Sequence, residues 1–419
     1  MKARYYDPFF YLCSDEMPFT IRIRLRMKAP VNGELLSEAA NRAIRRYPYF
    51  AVQLKEAEGE ILTEPNPRPV VVYEGEKARP LGSDGVNRHL TAFSYEGSEI
   101  SFYISHVLCD GAGSYPYMMT ALYEYLCLRH GVTPDPTGIR RVEEPFFEDE
   151  LGNPYPEERM ATARPLYEPP KREFFRLTDG GFVTDRVPTI YRFMLDEAEI
   201  LRFNHDNDGS PCALLSSLMA KAIWDLHPAE ERDIVSAVSF NLRPGLGNRN
   251  SYRMLCSALK LRYPATQRGA DIARLCTCSR GMVTLQSQPE NVLYYARKQR
   301  EWLEAVGRLP SVSEKRAVAA PRALADATDN TFSVSYVGKM AMGGVEPYLD
   351  AIYNETDGST YQSVFLEVTA TNGQFHVNFL QGFSSDVYYR ALLRQLTAHG
   401  LSYTEEGAAP LDTPKMEWP

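Results

Sequence analysis

The chain is poor in the residues that carry most side-chain chemistry, with seven histidines and seven cysteines among 419 residues. No Cys-x-x-Cys occurs. Cys276 and Cys278 lie two apart, but no second Cys or His pair stands at metal-ligand spacing. Structural zinc and a disulfide framework are therefore not expected; a reduced, cytoplasmic protein is. There is no run of about 18 apolar residues, which argues against a transmembrane helix. The first stretch, MKARYYDPFFYLCSDEMPF, lacks the apolar centre and small-residue cleavage site of a secretory signal. Positive charge is not in excess either. The net charge is −8, so nothing global favours nucleic acid.

What is present suits a soluble globular protein: 44% hydrophobic and 24% charged residues. The length is too great for one compact core and suggests two domains or two equivalent halves. TIRIRLRMK (20–28) alternates strictly, with Ile21, Ile23, Leu25 and Met27 on one side and Arg22, Arg24, Arg26 and Lys28 on the other. That is a half-buried strand. Its basic stripe reads as a solvated sheet face, or else as a surface for a phosphate-bearing ligand or an acidic partner. In ELLSEAANRAIRRYPYF, Leu35, Leu36, Ala39, Ala40, Ala43 and Ile44 recur at helical spacing up to Pro48.

Two strands are expected at 87–95 and 99–105, and then HVLCDG leads into a helix of about 16 residues. Ser114 is read as its N-cap, Pro116 as first-turn and Gly131 as C′. Residues 132–188 are rich in proline and aromatics and read as an ordered crossover. Strands are then expected at 189–195, 233–241 and 254–263, with helices over 210–227 and much of 269–326. NTFSVSYVGKM is a further strand. QSVFLEVTA and QFHVNFLQG form a hairpin about Asn372-Gly373, the strongest such signal in the chain. Strand, turn, strand, helix thus appears at 87–130 and again at 361–399, with Gln381 roughly where the first copy has His106. A repeat of this kind implies one histidine, and one active site, per chain.

His106 alone would by default be a structural histidine. Its setting is more specific: His-x-x-x-Asp-Gly follows a strand, precedes a capped helix and lies among small residues that a ligand can approach. With His106, Asp110 and Gly111 in SHVLCDG, the chain resembles the chloramphenicol acetyltransferase-like superfamily. That group includes the condensation domains of nonribosomal peptide synthesis, the BAHD acyltransferases and stand-alone alcohol acyltransferases. The opening strand and the helix ending in Arg46-Tyr47-Pro48 agree, as do SFNLRPGLGNRN, SVSYVG and the closing hairpin and helix. There are departures. Ser105 stands where condensation domains usually carry a first histidine, the Asp-Phe-Gly-Trp-Gly segment of plant BAHD enzymes is absent, and Tyr336 replaces the usual asparagine.

The resemblance implies an α/β (α+β) fold of two halves, each a mixed β-sheet with helices, arranged as a V with a central cleft. The expected halves are 1–170 and 171–419, with a segment after residue 338 crossing back to the first. It implies an acyltransferase that moves an acyl group from a CoA or carrier-protein thioester to an alcohol or amine. His106 would be the general base, with no acyl-enzyme, no metal and no resident cofactor; acyl-CoA or acyl-phosphopantetheine is a co-substrate. Asp110 would pair with Arg243 to fix the loop, and Gly111 would leave room for the pantetheine arm. Ser335, Tyr336 and Gly338 are candidates for oxyanion stabilisation or for lining a channel. Two other readings stay open: a condensation-type enzyme that depends on an acidic carrier protein and uses the basic stripe, and a non-catalytic binding or scaffold protein on the same fold. Cys109, among apolar neighbours, reads as a packed thiol. Tyr115, Tyr117, Tyr123 and Tyr125 read as helix packing, with an acyl channel as the alternative.

Overall fold

The structure is a computed structural model and describes residues 8–15, 17–336, 338–356 and 364–419. Its strands, in chain order, are β1 (Thr20–Met27), β2 (Val52–Ala57), β3 (Glu60–Pro65), β4 (Val72–Glu74), β5 (Thr91–Glu96), β6 (Glu99–Ser105), β7 (Thr184–Asp196), β8 (Ile234–Asn241), β9 (Cys256–Tyr263), β10 (Phe332–Tyr336), β11 (Leu349–Thr356), β12 (Val364–Thr371), β13 (Gln374–Phe383) and β14 (Thr404–Pro410). The helices are α1 (Gly33–Ala43), α2 (Gly111–His130), α3 (Glu148–Leu151), α4 (Glu157–Thr162), α5 (Glu197–Asp206), α6 (Pro211–Leu226), α7 (Arg243–Leu246), α8 (Ile272–Gln286), α9 (Pro289–Gly307), α10 (Val312–Ala327) and α11 (Val387–Ala398). No described helix is long and apolar enough to cross a membrane.

Two mixed sheets organise the chain. One has the order β11-β1-β6-β5-β4 and the other β14-β7-β13-β12-β10-β8-β9. The first combines antiparallel pairs with a parallel β4/β5 pair, and the second combines them with parallel β10/β12 and β10/β8 pairs. Each carries its own apolar core, the second including Leu218 of α6 and Leu392 of α11. Asn372 and Gly373 both adopt positive φ (51° and 73°), the geometry of a two-residue type I′ turn between β12 and β13.

β11 joins the two sheets. One of its edges pairs with β1, Ile23 opposite Asn354. The other meets side chains from the open face of β12 and β13. Asn378 Nδ2 donates to the Asn354 carbonyl at 2.5 Å, Thr369 Oγ1 donates to the Ile352 carbonyl, and the Thr356 N–H donates to Glu367 Oε2 at 2.9 Å. An edge strand that would otherwise expose unpaired backbone groups is closed by side chains instead.

Two expectations change here. Most of the basic row of β1 is not solvated: Arg22 is 2% and Arg24 8% exposed, and Arg26 is half-buried. Glu355, opposite Arg22 in the register, draws in Arg22 (3.6 Å), Arg24 (3.5 Å) and Arg192 (2.7 Å). The end of the chain lies against the same face: Arg26 meets Glu406 at 2.7 Å, and Thr20 Oγ1 donates to the Pro414 carbonyl. The period-two pattern was read correctly, but the layer covering its polar face comes from the far end of the sequence. The strand expected from residue 87 begins at Thr91, because Asn87 and Arg88 sit at positive φ and turn His89 inward, against the Arg68 carbonyl at 2.7 Å.

Candidate functional site

β6 ends at Ser105, and after five intervening residues α2 begins. Its N-cap is Asp110, not Ser114: Asp110 Oδ1 accepts the Gly113 N–H at 2.9 Å, and the helix runs 20 residues to a left-handed Gly131. Ser114 lies inside the first turn, with its hydroxyl donating to the Gly111 carbonyl. The small residues Gly111, Ala112 and Gly113 let the turn start early. At Gly113 they are required, since a Cβ there would stand 1.9 Å from the Tyr252 carbonyl oxygen. The loop before the β9 strand therefore packs directly on the mouth of α2.

Asp110 is 3% exposed and Arg243 is 4% exposed. Their contact is bidentate, both N–O distances being 2.8 Å. Asp110 also accepts the Leu255 N–H at 2.9 Å. Arg243 spends its remaining donors on the Ser251 carbonyl, the Asn241 side-chain oxygen and the Arg253 carbonyl. All five of its N–H groups are thus matched. That is the condition under which a buried ion pair is tolerated. The pair ties the start of α2 to the end of β8.

His106 is half-buried. Its backbone N–H donates to the Phe19 carbonyl at 2.6 Å, and its ring meets Phe19 edge-on. Nδ1 lies 2.9 Å from the Cys109 carbonyl oxygen. A carbonyl only accepts, so Nδ1 carries the proton in that contact and Nε2 of the neutral ring is the basic nitrogen. Burial pushes the imidazole below its ordinary 6.5, outweighing the upward pull of the Asp110 charge.

His106, Asp110, Gly111 and Arg243 all line one cavity of about 290 Å³, together with Ser335 and Tyr336 of β10. Its wall combines apolar residues of the first sheet, such as Ile21 and Ile23, with Phe240 and Phe365 of the second. Gly338 follows Val337, which lies outside the described residues. It turns at φ 84° and is not among the residues lining the cavity. Tyr336 is pushed up to about 12 by burial and by the nearby Glu197 charge, so its hydroxyl is a donor at neutral pH. Of the α2 tyrosines, Tyr115 reaches the cavity, whereas Tyr117, Tyr123 and Tyr125 are packed in the first core. Cys109 is fully buried and contributes its carbonyl. At the place matching His106 in the second hairpin, Gln381 is buried and donates to the Ser385 carbonyl.

Several wall residues escaped the sequence reading, among them Asn354, Glu367 and Cys256, whereas Tyr115 lines the wall as the alternative reading of the α2 tyrosines had it. Asn354 lies on β11, a strand whose pattern was not recognised. Glu367 did leave a trace: it is a lone acid within the apolar strand VFLEVTA.

No protein-family model matches the sequence, and no curated protein matches it. Solved structures do. Polyketide synthase associated protein 5 from Mycobacterium tuberculosis is similar with a TM-score of 0.60 at 13% identity, over 94% of this chain and 96% of that one. TRI101 of F. sporotrichioides, crystallised with coenzyme A and T-2, is similar at 0.60 and 12% identity, over 94% and 98%. The first condensation domain of the CDA synthetase is similar at 0.60 and 12% identity, over 98% and 97%. Likeness over nearly the whole of each chain, at such low identity, shows a shared architecture. The chain has the chloramphenicol acetyltransferase-like fold of the acyltransferases and condensation domains.

Proposed function

We propose that this chain is an acyltransferase, moving an acyl group from a CoA or phosphopantetheine thioester to an alcohol or amine, with His106 as general base. The observation that carries the reading is the His106 ring. Its Nδ1–H is held by the Cys109 carbonyl, its Nε2 is basic, its pKa is lowered by burial, and it lines a cavity. A base that is neutral at pH 7 is ready to take a proton, and such a group contributes about 10²–10⁴-fold.

In this reading Nε2 takes the proton of the acceptor O–H or N–H as that atom bonds to the thioester carbonyl carbon. The tetrahedral oxyanion collapses, the C–S bond breaks, and the imidazolium returns its proton to the departing sulfur. Thiolate leaves readily, so no acyl-enzyme is required. Ser335 and Tyr336, both in the wall, are the candidate oxyanion donors. Asp110 and Arg243 act as positioning residues that fix the loop. Coenzyme A as co-substrate is supported by the TRI101 complex, whose fold this chain shares. The chain is read as two halves, 1–170 and 171–419, with the segment after 338 returning to the first; the pairing of β11 with β1 supports this.

The carrier-dependent alternative drew on the basic row of β1. With Arg22 and Arg24 buried against Glu355 and Arg26 paired with Glu406, Lys28 is the one exposed cation of that row, which weakens the case for an acidic carrier there. A panel of CoA thioesters with pooled alcohols and amines, scored for free thiol, tests the reading. Transfer is expected for the wild type, and its loss in folded His106→Ala; equal rates would refute the base assignment.

A further inference from the structure

The strand register gives the cavity a direction. His106 follows Ser105, which pairs with Thr20 on one edge of β1, and Asn354 pairs with Ile23 on the other edge. At about 3.3 Å of rise per residue, the step from Thr20 to Ile23 separates the two by about 10 Å along the strand. Ile21 and Ile23 line the wall over that distance. Residues directly opposite in an antiparallel pair share a face, and Asn354 lines the same cavity.

Asn354 is 9% exposed, and its polar atoms are unevenly matched. Its backbone carbonyl accepts from Asn378 Nδ2, whatever side chain the residue carries. Its Oδ1 accepts the Tyr115 hydroxyl at 2.8 Å. Burial pushes the Tyr115 phenol up, so it keeps its proton and stays the donor. Fixing Oδ1 of a planar amide also fixes Nδ2, and among the described residues nothing accepts from that nitrogen. The N–H groups on Nδ2 are thus left for a ligand at the end of the cavity away from His106. An apolar group seated there strips them of water and returns no acceptor, whereas an oxygen answers them. That oxygen is uncharged. Arg243, the one Lys or Arg among the described lining residues, has every N–H matched and offers nothing to a carboxylate.

We propose that the substrate lying along β1 carries a keto or hydroxyl oxygen about 10 Å from its reacting atom, and that Asn354 selects it, with Tyr115 as a positioning residue. The word substrate rests on the acyl-transfer reading; the binding preference does not. The oxygen sits on the acyl chain or on the acceptor, and two pairs of compounds separate these sources. Octanoyl-CoA is compared with 7-oxooctanoyl-CoA, each with pooled alcohols and amines. 1-Octanol is compared with 1,8-octanediol, each with acetyl-CoA.

In one of the pairs the wild-type kcat/KM should favour the oxygen-bearing member at least about tenfold, because the plain member leaves a buried donor unpaired. The double variant Tyr115→Phe/Asn354→Leu removes both polar partners together, so no buried phenol is left unmatched. It should abolish the preference. Tyr115→Phe alone should weaken the preference while leaving kcat/KM for the plain member little changed, a split that a merely structural role would not give; it carries the same test should the double variant not fold. Calorimetry reads the preference without turnover, using the unreactive thioethers S-octyl-CoA and S-(7-oxooctyl)-CoA and the two alcohols. Equal treatment of both pairs by the wild type, or a preference that survives in the folded variants, would overturn the proposal. Thiol release that ignores both acceptor and His106 would sink the acyl-transfer reading instead, and calorimetry would still decide the role of Asn354.

Discussion

Asp110 receives four N–H donors in a nearly water-free setting: two from Arg243 and one each from Gly113 and Leu255. Removing one side of such a pair leaves the other buried and unmatched, which costs about 3–5 kcal/mol. Asp110→Asn should therefore lower stability by about that amount in denaturant unfolding and reduce turnover with it. Arg243→Lys should resemble it, because an ammonium cannot supply five donors in a planar fork. His106 behaves differently. Its folded pKa lies below the ordinary 6.5 because burial disfavours the imidazolium. A base must be unprotonated to work, so kcat/KM should rise with pH along a limb whose midpoint is below 6.5 and stay flat from about pH 7 upward. A rising limb centred above pH 7 would mean that the titrating base is another group.

At the scale of elements, the site depends on how closely the loop before β9 sits on α2. The Tyr252 carbonyl occupies the space where a Cβ on residue 113 would be, 1.9 Å away. Backbone on both sides leaves no flexible chain end to yield. Gly113→Ala should push the loop from the helix, loosen the Arg243–Asp110 clamp, and lower kcat/KM more than a typical glycine-to-alanine change in a helix, which is stabilising by about 0.5–1 kcal/mol where space allows. Activity combined with thermal unfolding checks this; a variant as stable and active as wild type would show that the loop can move freely. The loop is also held from the crossover, where Asp149 accepts the N–H groups of Arg249 and Asn250 and the side-chain amide of Asn250. The acidic stretch EEPFFEDE, within the crossover at 132–188, is thus one anchor of the site.

Across the whole molecule, a further contact between the sheets lies on β13, where His376 is 1% exposed beside Tyr353 of β11. Burial and the nearby Arg26 guanidinium hold it down to about 4. Its unfolded value is near 6.5, so the unfolded chain binds the extra proton first as pH falls. Stability from this group is complete above about 6.5 and is lost on the way down to about 4, by about 3 kcal/mol in all. His376→Phe should make unfolding free energy less dependent on pH between 6.5 and 4, with its gain largest at the acid end. An unchanged slope would place the acid sensitivity elsewhere.

The local parts of this architecture were legible in the sequence: the alternation of β1, the Asn372-Gly373 turn and the strand before His106 all rest on near-neighbour chemistry. What joined distant segments was not. The burial of Arg22 and Arg24 depends on Glu355 and on the final residues of the chain. β11 was missed because its polar atoms are matched by side chains of another sheet, and the start of α2 was misplaced because two good caps, Asp110 and Ser114, compete four residues apart. Within the site, the residues on the His-x-x-x-Asp-Gly loop could be read locally, whereas Asn354 and Glu367 enter the wall only through the packing of β11 on β12.

The central claim is that His106 Nε2 removes the acceptor's proton. The most direct measurement is acceptor-dependent thiol release from an acyl-CoA by wild type and by His106→Ala, the variant first shown to be folded by its unfolding curve. A fall of about 10²–10⁴-fold with unfolding little changed is the predicted result; transfer at the wild-type rate would contradict it.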